Sequence, residues 1–315
     1  MMAAVRHVVV LGGSGFVGRH LVGRLSAAGQ RVTVVTRRRH EARHLILLPT
    51  VQVVEADPHD PLAISRVFRD ATAVVNLIGI LHERGRDTFA RVHVELASGV
   101  VNAMRNGGAT RLLHMSAQNA DRSGPSGYLR SKGEAEAVVA GSGLAWTIFR
   151  PSVIFGRDDT LLNLFAKVQR RLPVLALAAP NVRFQPVYVA DVVQCFVHAL
   201  ADDATIGKRY DLCGPNVYRL RDLVSYVGNV TGYARPIIPL GPRMSAWQAW
   251  LLEFLPGHLL SRDALASMQK DAVCDGPFPP IFGLAPTALE AVAPSYLAPE
   301  AGRSKYDPMR TQGGR

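Results

Sequence analysis

Apolar residues along the first half of this chain fall mainly into short runs separated by amphipathic stretches. Val8-Val9-Val10-Leu11 is too short for a helix and rich in β-branched side chains, so it predicts a buried parallel strand. A glycine-bearing turn follows. Then Phe16-Val17-Gly18-Arg19-His20-Leu21-Val22-Gly23-Arg24-Leu25 sets apolar side chains at helical spacing, and Gly29 stands where a C-cap closes that helix. The alternation continues: runs at 31–36, 51–56, 73–79 and 111–115 predict four more strands. Stretches 61–69, 89–106, 128–139, 160–171, 192–200 and 220–230 predict helices. The expected class is α/β, a doubly wound parallel sheet with a smaller C-terminal lobe. The core is expected over 1–155, completed by about 185–213, and the lobe over 156–184 and 214–300. Within the lobe, 172–177 reads as an apolar loop able to line a pocket, and 268–273 as a further helix. The polar, glycine-containing stretch 301–315 is expected to be a disordered tail.

The turn after the first strand carries Gly12, Gly15 and Gly18. Gly12 permits a tight turn, Gly15 lets backbone approach a pyrophosphate, and Gly18 lets helix and strand pack closely. Ser14, Phe16 and Val17 lie in the same turn and first helical residues, where free N–H groups and the positive helix end face the phosphates. The second strand ends in Thr36-Arg37-Arg38-Arg39, with no acid. An acid there binds the ribose of NAD; an arginine accommodates the 2′-phosphate of NADP. Arg37 is therefore the first candidate for that phosphate and Arg38 the second, which favours NADP(H) while leaving NAD(H) open. Asp57, after the third strand, is placed either to meet the adenine edge or to cap the next helix, for which Asp60 is better placed. Leu77, Ile78 and Gly79 end the fourth strand, near the middle of such a cofactor.

After the fifth strand come Ser116 and then Tyr128 and Lys132, four apart on one helix face. An ammonium beside a phenol favours the phenolate, so this pair predicts a lowered tyrosine pKa and a proton donor or acceptor for carbonyl/alcohol chemistry.

These residues, with Arg150-Pro151-Ser152-Val153-Ile154-Phe155-Gly156 and Gln185-Pro186-Val187-Tyr188-Val189, resemble the extended and atypical short-chain dehydrogenase/reductases, related to the NAD-dependent epimerases and dehydratases. Asn76-Leu77-Ile78-Gly79, Tyr128-Leu129-Arg130 and Phe155-Gly156-Arg157-Asp158-Asp159 look more narrowly like one branch, the nucleotide-binding accessory subunit of respiratory complex I and its bacterial relatives. The similarity runs from about residue 5 to about 295. It implies a Rossmann fold and bound NADPH, with no established turnover for the complex I subunit. It further implies Tyr128 and Lys132 on the nicotinamide ribose, and Pro151 to Val153 flanking the nicotinamide. One departure stands out. Extended members with activity carry a catalytic Ser or Thr just after the first Ser of the fifth strand; here Ser116 is followed by Ala117. Ser116 lies twelve residues before Tyr128, as in the classical enzymes, and is the substitute candidate. By the extended pattern, Ala117 removes a hydrogen bond used at the reacting oxygen.

Composition narrows the partners. The 315 residues carry net charge +11, which favours anionic partners: a phosphorylated cofactor, an acidic lipid or an acidic protein surface. No aromatic-interleaved basic strand or recognition-helix pattern points to nucleic acid. Cys195, Cys213 and Cys274 are few, odd in number and far apart; they predict neither a disulfide framework nor a zinc site, and fit a reducing compartment. The first strand begins within a few residues of Met1, so no signal or transit peptide is expected, and no apolar run reaches membrane-span length. Trp247, Trp250, Leu251 and Phe254 share one helical face. A core helix over a pocket is the ordinary reading of such a stripe. The sharper one is a face for a membrane surface, a quinone-like ligand or a partner subunit. The functional expectation is an NADPH-holding accessory factor of a respiratory NADH:quinone oxidoreductase, cytoplasmic or peripheral on the inner membrane. The alternative is an NAD(P)-dependent oxidoreductase, epimerase or dehydratase acting through Tyr128 and Lys132 on a hydrophobic small molecule.

Overall fold

The computed structural model describes residues 6–253 and 260–298; the expected tail at 301–315 lies outside them, as does Phe254. Seven parallel strands form the central sheet: β1 (His7–Leu11), β2 (Arg31–Thr36), β3 (Val51–Glu55), β4 (Ala73–Asn76), β5 (Arg111–Met115), β6 (Ala145–Pro151) and β7 (Lys208–Leu212). Their order is β7-β6-β5-β4-β1-β2-β3, so the winding reverses between β1 and β4. The main helices are α1 (Phe16–Ala27), α2 (Pro61–Phe68), α3 (Leu96–Gly107), α4 (Gly127–Ala140), α5 (Leu161–Arg171), α6 (Val189–Ala201), α7 (Leu220–Thr231) and α8 (Pro242–Glu253). This is a Rossmann fold.

Two compact units divide the chain. The first holds the described residues of 1–151, 189–212 and 279–284. Its two central strands are apolar because both faces are covered: every residue of β4, and Val8 to Leu11 of β1, is buried. Ile64, Phe68, Leu96, Val100, Met104 and Val139 pack α2, α3 and α4 onto the sheet. On α1, Val17, Leu21, Val22 and Leu25 repeat at helical spacing and are buried. Asp60 caps α2, its Oδ1 accepting from Leu62 N at 2.9 Å and Ala63 N at 3.2 Å. The helix expected over 89–106 is not uniform: Ala90–Glu95 is π-helical before α3 begins, which shifts the register at His93.

The second unit holds the described residues of 152–188, 213–278 and 285–315. Its core gathers Phe155, Leu162, Leu220, Leu223 and Val227, with α5 packed on α7. Three expectations are corrected here. The apolar stretch 172–177 is not only a loop, because Leu175–Leu177 pairs in parallel with Ile237–Pro239. The helix expected over 268–273 lies earlier, at Arg262–Ser267. Residues 271–274 are instead drawn out along the 183–185 segment: Asp271 accepts from Arg183 N at 2.7 Å, Ala272 N donates to Arg183 O at 2.8 Å, and Gln185 N donates to Ala272 O at 3.0 Å. The stripe on α8 does not face a core. Trp247 is 57% exposed and Trp250 46%, whereas the small Ser245 and Ala249 are buried. The helix seats on its small-residue side, with Gln248 Nε2 donating to Ala176 O at 2.9 Å.

The cysteine reading is also corrected. Cys213 and Cys274 form a disulfide, and only Cys195 is a free thiol. Sixty-one residues separate the pair in sequence, but Gln185 brings their backbones together. Its Nε2 donates to Gly214 O at 2.7 Å and its Oε1 accepts from Cys274 N at 3.0 Å. A bond closing so long a loop typically stabilises by about 2–4 kcal/mol. Dithiothreitol should therefore lower the thermal unfolding midpoint of the wild-type chain and leave that of Cys213→Ser unmoved. Equal midpoints for wild type with and without reductant would show that the bond does not hold the fold in solution.

Candidate functional site

Within the first unit, most of the predicted site residues gather where the strands end. Gly12 to Gly18 follow β1, Arg37 follows β2, Leu77 to Gly79 follow β4, Ser116 follows β5 and Pro151 ends β6. These are the carboxyl ends of parallel strands on both sides of the winding reversal, where such sheets bind ligands.

The turn after β1 is shaped by contact. Gly12 has φ +78°, a left-handed conformation, and Gly15 N donates to its carbonyl at 3.1 Å. A Cβ on Gly18 would come 2.2 Å from Gly12 O and 2.6 Å from Gly13 Cα, so α1 could not sit this close to β1 with any side chain there. Gly13, which the spacing did not single out, is closed off by Val34, whose Cγ1 lies 2.8 Å from where its Cβ would be. Gly15 is exposed, and no side chain caps α1. The first N–H groups of the helix are thereby left for a ligand, and the turn fits a phosphate group.

The predicted selectors after β2 are both on the surface. Arg37 Nη1 reaches Asp87 Oδ2 at 3.2 Å, and Arg38 Nη1 pairs with Glu41 Oε1 at 3.3 Å. Asp57 lies after the outermost strand, exposed, its Oδ1 accepting from His59 N at 3.0 Å. Pro151 is buried and its carbonyl accepts from Gln118 N at 2.9 Å. Val153 falls in the second unit, where its carbonyl accepts from Val187 N.

Tyr128, Lys132 and Glu136 follow one another at i, i+4 and i+8 along α4. Ser126 caps the helix, accepting from Leu129 N at 3.1 Å. Lys132 is buried; its Nζ donates to Met115 O at 3.2 Å, and a Cβ built on Gly79 would lie 3.1 Å from it. The amine thus stands at the end of β4. Glu136 is buried too and is held by Arg150 Nε at 2.7 Å and Arg209 Nε at 3.1 Å.

The expected lowering of the Tyr128 phenol is not found. Burial pushes its pKa up to about 12. Burial also pulls Lys132 down to about 8, against the raising effect of Glu136. Around the pair lies a shell of polar groups that sequence reading left out or passed over. His93 Nε2 accepts from Ile80 N at 3.1 Å and is therefore the unprotonated nitrogen. Its Nδ1–H faces Ser131 Oγ at 2.8 Å, and Ser131 Oγ donates to Tyr128 O at 2.8 Å. This relay ties the end of β4 to the first turn of α4. Asn76 Nδ2 and His114 Nδ1 lie 3.3 Å apart. Burial, with the Lys132 charge, lowers His93 to about 2 and His114 to about 3, so both rings are neutral. His114 Nε2 and Ser116 Oγ are buried without a partner among the described residues. The signal in the sequence was a polar residue inside or ending an apolar strand: Asn76 in β4, His114 in β5. Ala117 is buried beside Ser116 and offers no hydroxyl.

Residues 12–171 match the NAD(P)H-binding family. The mouse protein "NADH dehydrogenase [ubiquinone] 1 alpha subcomplex subunit 9, mitochondrial" is 32% identical over 290 residues, covering 89% of this chain and 77% of that protein. The Arabidopsis thaliana protein of the same name is 34% identical over 265 residues, covering 80% of this chain but 65% of its own length. Among solved structures, the Escherichia coli NADPH-dependent quinone oxidoreductase in complex with NADPH superposes with a TM-score of 0.75 at 18% identity, over 92% of this chain and 99% of that one. That likeness is one of fold.

Lys132 generates a prediction. Its native pKa lies below its unfolded value of 10.5, so the unfolded chain binds more protons between about pH 8 and 10.5. Stability from this group therefore rises with pH through that window, and the buried charge is most unfavourable below pH 8. Lys132→Met should gain about 2 kcal/mol more at pH 7 than at pH 9.5 relative to wild type, measured by denaturant unfolding. An equal difference at the two pH values would mean that Lys132 is not depressed.

Proposed function

This chain belongs to the NAD(P)H-binding family and, within it, to the family of the NADH dehydrogenase 1 alpha subcomplex subunit 9; from that membership we propose that it works by holding NADPH and associating with a respiratory complex, not by turnover. The observation that carries this reading is a contrast inside one site. The glycine turn has the close, uncapped shape that suits a phosphate, whereas the Tyr128 phenol is not poised for proton transfer. Tyr128 is pushed up to about 12, and Ala117 stands where active relatives of the extended type carry a hydroxyl. A general acid/base works best with a pKa near the operating pH, and burial moves the phenol away from it.

In this reading the turn from Gly12 to Gly18, with Ser14 and the N–H groups of Phe16 and Val17, holds the pyrophosphate. Arg37 takes the 2′-phosphate and sets the preference for NADPH over NADH; Arg38, turned toward Glu41, supports it. Asp57 meets the adenine, and Leu77 to Gly79 line the ribose. Tyr128 and Lys132 bind the second ribose, with Lys132 kept at the end of β4 by Met115 O and His93 by its relay to Ser131. A bound dinucleotide supplies hydride chemistry; these residues hold and orient it.

Association is assigned to α8. Exposed Trp247, Trp250, Met244 and Leu251 on one short helix, in a chain of net charge +11, suit a peripheral contact with anionic lipid or with a respiratory subunit. No helix among the described residues is long and apolar enough to cross a membrane, so contact through such a surface face is the form of attachment this reading needs.

The separating variant is Tyr128→Phe in a strain lacking the wild-type chain. Membranes from the complemented strain should regain full NADH:quinone oxidoreductase activity, because a binding subunit loses only one hydroxyl. A fall of roughly 10²–10⁴-fold in a function of the chain itself, the usual worth of a general acid/base, would assign turnover instead.

A further inference from the structure

The loop after β4 ends in a small hairpin. Arg84 N donates to Asp87 O and Asp87 N to Arg84 O, both at 3.0 Å, around Arg86 and a left-handed Gly85 at φ +56°. Its base is pinned on the helix side. Glu83 Oε1 accepts from Phe89 N at 2.7 Å, and Arg91 Nη1 reaches Arg86 O at 3.4 Å. From this hairpin Asp87 takes the hydrogen bond of Arg37. One ion pair thus connects the loop after β2 to the loop after β4, and the strand between them, β1, is the one that ends in the glycine turn. The Arg37 side chain is 64% exposed and that of Asp87 32%, so a competing anion has access to the guanidinium.

Resting on the reading of Arg37 as the 2′-phosphate ligand, we propose that Asp87 is a specificity-determining latch. Its carboxylate stays on Arg37 when the dinucleotide lacks a 2′-phosphate and is displaced when the phosphate is present. The chemistry is a competition for one guanidinium. A phosphate close to dianionic has more charge and more acceptor oxygens than a carboxylate, so it wins the fork of N–H donors. A carboxylate left beside that phosphate is repelled, so the hairpin tip swings away. NADH presents no such competitor, and the β2 and β4 loops remain tied. The two dinucleotides therefore leave this edge of the site in different states, which gives a binding subunit a surface that reports which one it holds. The latch also opposes NADPH: part of its phosphate binding goes into breaking the pair.

Equilibrium titration with NADPH and NADH tests this on the full chain, comparing wild type, Asp87→Asn and Arg37→Ala. Asp87→Asn keeps the size and removes the charge. It should tighten NADPH by about two- to fivefold, the fold-change an exposed ion pair carries, and leave NADH unchanged. The NADH titration also controls for folding. NADPH affinity that is unchanged or weaker in Asp87→Asn overturns the latch, as does a parallel loss for both dinucleotides, which would make Asp87 structural. Arg37→Ala separates the two levels. Loss of the NADPH preference upholds Arg37 as the phosphate ligand whatever Asp87 does; a preference that survives removes that reading and the latch with it.

Discussion

Everything at this site depends on how closely the first turn of α1 approaches the end of β1. Gly12 O stands where a Gly18 Cβ would have to be, so the approach exists only because position 18 has no side chain. The same carbonyl accepts from Gly15 N, which rolls the chain directly into the helix. The uncapped N-terminus of α1 then faces the carboxyl ends of β1 and β4 at the winding reversal. An anion bound there meets oriented N–H groups with no reorganisation, the physical basis of dinucleotide binding in this fold.

Behind that turn lies a shell of buried polar side chains. Lys132, His93, His114, Asn76, Ser131 and Glu136 are all buried. Most of their polar atoms are partnered: Lys132 and His93 with backbone atoms at the end of β5 and after β4, Asn76 with His114, His93 with Ser131, and Glu136 with Arg150 and Arg209. Such a shell fixes position well. Its low polarizability also disfavours charge, which is why both imidazoles are neutral, the lysine is depressed and the phenol is raised.

What could be read from the residues alone was whatever depends on near neighbours in sequence. The β-branched runs, the glycine spacing, the Asp60 cap with Pro61 behind it and the i, i+4 placement of Tyr128 and Lys132 are local, and each appears as read. Electrostatics were not legible in the same way: the proximity of a lysine suggested a lowered phenol, but burial, which spacing does not reveal, raises it. The disulfide joins positions 61 apart through a glutamine that belongs to neither segment. The Arg37–Asp87 pair spans 50 residues. The α8 stripe was misjudged for another reason: apolar faces usually turn inward, but a helix with Ser245 and Ala249 opposite can seat on its small side and leave the tryptophans out. Gly13 went unremarked because its constraint is Val34, a residue on the next strand.

The most direct test of the central claim, that this chain is an NADPH-holding subunit, is native mass spectrometry of the protein purified without added nucleotide, followed by identification of whatever the denatured protein releases. The prediction is one molecule of NADPH or NADP⁺ per chain. Stoichiometric NAD(H) would contradict the role given to Arg37. A chain that never retains a dinucleotide but turns one over with an added substrate would contradict the claim as a whole.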